Sequence, residues 1–209
     1  MSLELWLTFV AASTALLLIP GPTVLLVLSY ALSKGRSVAV ASAAGVALGD
    51  LIAMTASLLG LGALVLASAT LFVALKWVGA AYLIWLGIKL IRSAPSEGLV
   101  AGAQIDVSAK HVFGHAAAVT ALNPKSIAFF IAFVPQFIRA DAPLLPQFGI
   151  LIATFVSLAA LNALAYALLA DRLRRVIARP HIITWITRAG GAALIGMGVL
   201  TATLRRSAA

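Results

Sequence analysis

Six long apolar stretches follow one another along this chain, at about 3–31, 37–66, 71–91, 112–138, 145–170 and 184–204. A helix needs about 20 apolar residues to cross the hydrocarbon core of a bilayer, and each stretch supplies them. A soluble domain of 209 residues cannot use so many. At 63% hydrophobic and 10% charged, it would lack the polar groups to cover its own surface. The sequence therefore predicts an all-α membrane protein with six spans, its mass almost entirely within the lipid, as one transmembrane domain over 1–209. The breaks between spans carry turn residues: Ser33-Lys34-Gly35-Arg36, Ala94-Pro95-Ser96-Glu97-Gly98, Ala142-Pro143 with Pro146, and Arg179-Pro180. The break at 67–70 carries no charge and is the weakest, so a five-span arrangement stays open. The second stretch is long enough to tilt, or to end in a turn at Gly60-Leu61-Gly62.

The net charge of +9 would suggest nucleic acid in a soluble protein. Here the basic residues lie between apolar runs and report orientation instead. With the N-terminus outside, the inner side collects Lys34, Arg36, Lys89, Arg92, Lys110, Arg172, Arg174, Arg175, Arg179 and Arg188. The outer side keeps Lys76, Arg139, Arg205 and Arg206. The positive-inside rule then places both termini outside a cytoplasmic membrane. Trp6 and Trp77 fall at the outer interface, and Tyr30, Trp85, Tyr166 and Trp185 towards the inner one, as belt residues rather than ligand contacts. Arg172–Arg179 reads as an anchor to acidic headgroups. Met1–Trp6 carries Glu4 and no basic residue, so the first stretch is expected to be a retained span rather than a signal peptide.

The chain also repeats itself. Residues 79–88 read GAAYLIWLGI and 190–199 read GGAALIGMGV, aligning Gly79 with Gly190 and Gly87 with Gly198. Pro22 in the first span matches Pro124 in the fourth, and Asp50 in the second matches Asn162 in the fifth. Three spans per half force the second copy to enter from the opposite side. The expectation is two inverted three-helix repeats, about 1–92 and 111–209, joined by a cytoplasmic linker at about 93–110. Transporters built this way bind their cargo near the midplane, where the halves meet. Chance likeness of glycine-rich membrane helices is the plain alternative.

Pro20-Gly21-Pro22 and Asn123-Pro124-Lys125 fall inside the first and fourth spans. Proline removes a backbone donor, so each site frees polar groups at membrane depth. Two broken helices result, with free N–H groups for an anion and free C=O groups for a cation; a simple proline kink is the alternative. A carboxylate at mid-helix, as at Asp50, costs about 2.5–3.5 kcal/mol on insertion scales, so it faces the bundle interior or takes up a proton. Lys125 is the matching cation. The pair suits a zwitterion, or the two residues pair with each other when the site is empty. Gly45 and Gly49 read as a small-xxx-small packing pair. Asn162, and less directly Tyr82 and Gln136, can add hydrogen bonds or act as helix–helix glue.

The chain has no cysteine. His111, His115 and His181 lie at span ends or in a loop, with no carboxylate or second histidine at metal-ligand spacing, so no metal site or cofactor is expected. No nucleophile elbow, P-loop or His-Glu-x-x-His pattern is present, which argues against an enzyme or an ATP-driven pump.

Four segments in order carry a family resemblance: IPGP at 19–22, ALSKGRSVAVASAAGVALGD at 31–50, LKWVGAAYLIWLG at 75–87 and NPKSIAFFIAFVPQF at 123–137. On these the chain resembles the lysine exporter and homoserine/threonine resistance (LysE/RhtB) family of bacterial amino-acid efflux permeases. The resemblance implies a secondary exporter of amino acids or close derivatives in the bacterial inner membrane, driven by a proton or cation gradient. It carries over Pro20, Gly21, Pro22, Gly49, Asp50, Asn123, Pro124, Lys125, Pro135 and Gln136 as motif positions. Which amino acid is moved, and whether the chain self-associates, stay open. A divalent-cation exporter would want several acidic, His or Cys side chains in the spans, and a non-transporting scaffold would need neither Asp50 nor Lys125.

Overall fold

The computed structural model describes residues 1–19, 21–34, 36–67, 69–92, 108–139, 142–170 and 180–203. Pro20, most of the expected linker and the Arg172–Arg179 cluster lie outside them. Among the described residues every regular element is helical: α1 Leu3–Leu18, α2 Pro22–Lys34, α3 Arg36–Ala67, α4 Ala69–Arg92, α5 Ala109–Ala121, α6 Pro124–Ala132, α7 Leu144–Leu168 and α8 Pro180–Thr203. A short 3₁₀ turn, Val134–Phe137, extends α6.

Helix ends follow local chemistry. Ser2 caps α1 by accepting from Leu5 N–H at 3.3 Å, and Ser108 does the same for α5 through His111 N–H. At the two internal prolines the apolar runs break as expected. Leu3–Leu18 and Pro22–Ala31 are bent by 60°, and Ala109–Ala121 and Pro124–Phe137 by 45°. The long second stretch does not turn at Gly60–Gly62; α3 runs through both glycines to Ala67 as one helix of 32 residues. At 1.5 Å per residue that is about 48 Å, well beyond a hydrocarbon core of about 30 Å, which calls for tilt. Three stretches, Val38–Ala63, Leu144–Leu168 and Thr184–Thr203, are long and apolar enough to cross a membrane alone. Each bent pair can supply one more, which makes up to five by length and composition. The remaining expected span falls on α4, 24 residues long, which is not among the described stretches that meet that length and composition.

Close contacts set the directions of the helices. Gly45 abuts Ala116 and Gly49 abuts Thr120, so α3 and α5 run parallel. Trp6 Nε1 donates to Thr154 Oγ1 at 3.0 Å and Asn162 reaches Leu17, so α1 and α7 are parallel too. α3 and α7 are antiparallel: Gly62, late in α3, meets Phe148, early in α7.

The pair α4 and α8 meets through matching glycine contacts. A Cβ on Gly87 would meet the carbonyl oxygen of Gly191 and the side chain of Ile195. One on Gly198 would meet the carbonyl oxygen of Ala80 and the side chain of Ile84. The sequence offset of 111 that aligns Gly79 with Gly190 turns the first set of contacts into the second. The two copies therefore pack reciprocally and antiparallel, the relation an inverted repeat produces. Small residues permit this approach of backbones, in a solvent where packing rather than hydrophobic exclusion joins helices.

Trp77, Trp85 and Trp185 are all more than half exposed, which suits side chains meeting lipid headgroups rather than a ligand. An aromatic cluster fills the interior: Phe9 lies edge-on to Phe137 at 5.2 Å, Phe129 stacks on Phe133 at 5.2 Å, and Phe130 meets Phe155 at 4.8 Å. These rings fix α6 against α1 and α7, and so position the residue that opens α6.

Candidate functional site

The end of α1 is a set of backbone acceptors short of backbone donors; Leu16 O keeps the Ile19 N–H at 3.3 Å. The N–H partners of the Leu16 and Leu18 carbonyls would come from residues 20 and 22, and both are proline. Side chains from the other half of the chain supply donors instead. Lys125 Nζ donates to Leu16 O at 3.1 Å and to Ile19 O at 3.0 Å. Asn162 Nδ2 donates to Leu17 O at 3.1 Å, and Tyr166 Oη to Leu18 O at 3.2 Å. All four terminal carbonyls of α1 are thus met by one ammonium, one amide and one phenol. A cation at a helix C-terminus also offsets the negative end of the helix dipole.

Gly21 leaves room for this arrangement, since a Cβ there would sit 3.4 Å from Lys125 Nζ. Lys125 itself is aimed by the second break. Asn123 is the N-cap of α6, its Oδ1 accepting from Lys125 N–H at 3.1 Å, and Pro124 follows at the first helical position. The Asn123 amide donates to Thr23 Oγ1 at 3.2 Å, and the Thr120 hydroxyl lies 3.4 Å from the same oxygen. Residues beside one break therefore hold the other in both directions.

Between the two breaks lies a small cavity of about 30 Å³, room for a water or two. Asp50, Lys125, Asn123, Asn162, Thr23 and Tyr166 are among its lining residues. Asp50 is 2% exposed and its Oδ1 has no hydrogen-bond partner. No ion pair joins it to Lys125, whose ammonium is turned to the α1 carbonyls. The direct pairing that the sequence leaves open is thus absent here; the two charges face one cavity from different walls.

Of the residues singled out in the sequence, Asp50, Asn123, Lys125 and Asn162 line the cavity together. Pro22 and Pro124 begin α2 and α6 at its edge. Pro20 lies outside the described residues. Gly49 is not on the wall. It packs against Ala117 O and Thr120, which brings α3 close enough to α5 for Asp50 to reach the cavity. Gln136 is elsewhere, donating to Thr201 Oγ1 at 2.6 Å, and Tyr82 lies beside Trp85 on the outside of α4. Pro135 is buried in the 3₁₀ turn.

Thr23, Thr120 and Tyr166 were not anticipated. Two of them had a signal: Thr23 follows Pro22 as Lys125 follows Pro124, and Tyr166 is one helical turn beyond Asn162. The histidines need a correction. His111 and His115 are four residues apart on α5 and do come together, their rings 6.1 Å apart, with Tyr30 Oη 2.7 Å from His115 Nδ1. Among the described residues no group of three or more His, Asp or Glu side chains assembles.

Comparison with known proteins gives a consistent result. A family model described as "LysE type translocator" matches residues 14–205. The homoserine/homoserine lactone efflux protein of Salmonella typhimurium is 37% identical over 99% of this chain and 100% of its own length. A membrane protein of Vibrio cholerae is 34% identical over 98% and 100%. The leucine efflux protein of Salmonella choleraesuis is 31% identical over 68% of this chain and 66% of its own. No solved structure matches the chain.

Proposed function

Because the chain belongs to the LysE-type translocator family, we propose that it exports small amino acids or close derivatives such as homoserine from the cytoplasm, driven by protons. The observation that carries this reading is the cavity between two broken helices, faced by one carboxylate and one ammonium. A free amino acid carries the complementary charges on adjacent atoms. Lys125 uses two of its three N–H donors on α1 and keeps one for a cargo carboxylate. Asp50 Oδ1 is free to receive either the cargo's ammonium or a proton, and a carrier that accepts one or the other at a single carboxylate couples their movements.

The cavity is too small for an amino acid, so loading requires the two breaks to separate. Pro20, Gly21, Pro22 and Pro124 serve this by leaving hinges without helical hydrogen bonds. Gly49 sets the approach of α3 to α5, Asn123 aims Lys125, and Asn162 holds the end of α1. Gln136 acts at a distance, tying the 3₁₀ turn to α8. Six alternating spans in the inner membrane, both termini outside, complete the proposal. The parallel pairs α1–α7 and α3–α5 and the antiparallel pairs α3–α7 and α4–α8 support that alternation, and the charge asymmetry of the loops supports the orientation.

A divalent-cation exporter is less well supported, because among the described residues Asp50 is the single carboxylate on the cavity wall. The test is reconstitution into vesicles, following labelled homoserine and leucine with and without an imposed pH gradient. Gradient-driven movement of one of them, lost in Asp50→Asn, is the expected result. No movement of either, or wild-type rate and pH dependence in Asp50→Asn, would refute it.

A further inference from the structure

The two breaks are related by the repeat, yet their charges are not. Aligning Pro22 with Pro124 sets Thr23 opposite Lys125 and the end of α1, Leu16–Ile19, opposite the end of α5, Ala118–Ala121. The offset of 111 that aligns the later helices brings Asp50 to within one residue of Asn162. At α1 the terminal carbonyls are held by Lys125 and Asn162. At α5 the corresponding side chains are Thr23 and Asp50. The α5 end therefore has a hydroxyl where α1 has an ammonium, and a carboxylate where α1 has an amide.

Backbone donors do not make up the difference. Leu122 N–H satisfies Ala118 O and Asn123 N–H satisfies Thr120 O, while the Val119 and Ala121 carbonyls accept no hydrogen bond among the described residues. Asp50 is carried to this turn by Gly49, which lies against Ala117 O, Thr120 and Ala121 N. Its carboxylate is buried, one oxygen is unpartnered, and it shares the cavity with Thr120 and Thr23. A helix C-terminus and a buried carboxylate together form a negative corner, and the ammonium that shares the cavity, Lys125, is hydrogen-bonded to the α1 carbonyls instead.

We propose that this corner, Asp50 with the C-terminal turn of α5, is the seat of a primary ammonium group. The group is the mobile counterpart of the one that Lys125 permanently supplies to α1. If the export reading holds, on which the identity of the cargo rests, the group is the cargo's α-ammonium. The geometry further implies that an ammonium built into the chain at position 23 would fill the seat from within, as Lys125 fills its own.

Ethylammonium chloride is the probe, added to the purified full-length protein in detergent while thermal unfolding is followed, with sodium chloride at equal ionic strength as control. Ethylammonium is expected to raise the unfolding temperature in a saturable way, and sodium is not. Asp50→Asn should raise the half-saturating concentration by about 30-fold or more, as loss of one partner of a buried charge pair does. Thr23→Lys should abolish the response and start from an unfolding temperature at or above that of the wild type. A wild type indifferent to ethylammonium, an equal response to sodium, or an unchanged response in both variants would each overturn the proposal. Amino-acid transport without any ethylammonium effect removes the seat and leaves the function. An ethylammonium effect lost in both variants, without transport of any amino acid, keeps the seat and removes the function.

Discussion

Replacing Asn162 by leucine tests whether the cross-half cap on α1 holds the fold together. The two side chains have the same number and branching of heavy atoms, so the change removes the donor without opening a cavity. What it strands is the Leu17 carbonyl, whose helical donor would be the N–H of residue 21, beyond the break. A carbonyl left without a donor costs about 1–3 kcal/mol. In membranes the unfolded reference also finds partners, and measured side-chain hydrogen bonds average about 0.6 kcal/mol with an upper end near 1.7. The carbonyl here belongs to a broken end with few alternatives, which puts Asn162→Leu at about 1–1.7 kcal/mol of destabilisation. Tyr166→Phe should cost less, about 0.5 kcal/mol, because its 3.2 Å bond to Leu18 O is exposed. Unfolding in mixed micelles by titration with dodecyl sulfate, which retains helices while separating them, measures both. Asn162→Leu as stable as the wild type, or a larger loss in Tyr166→Phe than in Asn162→Leu, would refute the capping argument.

Gly87→Ala and Gly198→Ala should each destabilise by about 1–3 kcal/mol and by similar amounts, because each methyl meets the opposite backbone in the same reciprocal contact. Gly60→Ala and Gly196→Ala, where the methyl meets open space, should be neutral or stabilising by up to about 1 kcal/mol in the same titration. Asn123→Ala removes the α6 cap and the bond to Thr23; it should lose about 1–2 kcal/mol. Trp6→Phe loses the bond to Thr154, with an expected cost of about 0.6 kcal/mol.

What could be read in the sequence was whatever depends on local chemistry. The two breaks were visible because proline forbids a backbone bond wherever it sits, and the ends of α3 and α7 followed from where apolar residues stop. Asp50 and Lys125 stood out because charge is costly in lipid. The partners of those residues were hidden, since they depend on which helices touch. Nothing local to Lys125 says that its ammonium reaches Leu16 and Ile19, more than a hundred residues away, instead of Asp50. Gln136 looked equivalent to Asn123 as a polar residue in a family motif, yet the 3₁₀ turn carries it to Thr201. Gly60 and Gly62 suggested a turn, but a helix absorbs two glycines when its neighbours pack well on either side of them. Thr23 and Tyr166 became readable once the repeat and the helical turn were applied to residues already chosen.

The unequal breaks bear on how such a chain can arise. An assembly of two identical subunits about a two-fold axis presents the same side chain at both equivalent positions. An antiparallel dimer of one half would therefore carry a lysine at both helix ends or at neither, and an aspartate at both or at neither. Lys125 opposite Thr23, and Asp50 within one residue of the place of Asn162, require the two positions to be inherited separately. Joining the halves into one polypeptide is what allows one broken helix to own its positive charge while the other must obtain it from outside.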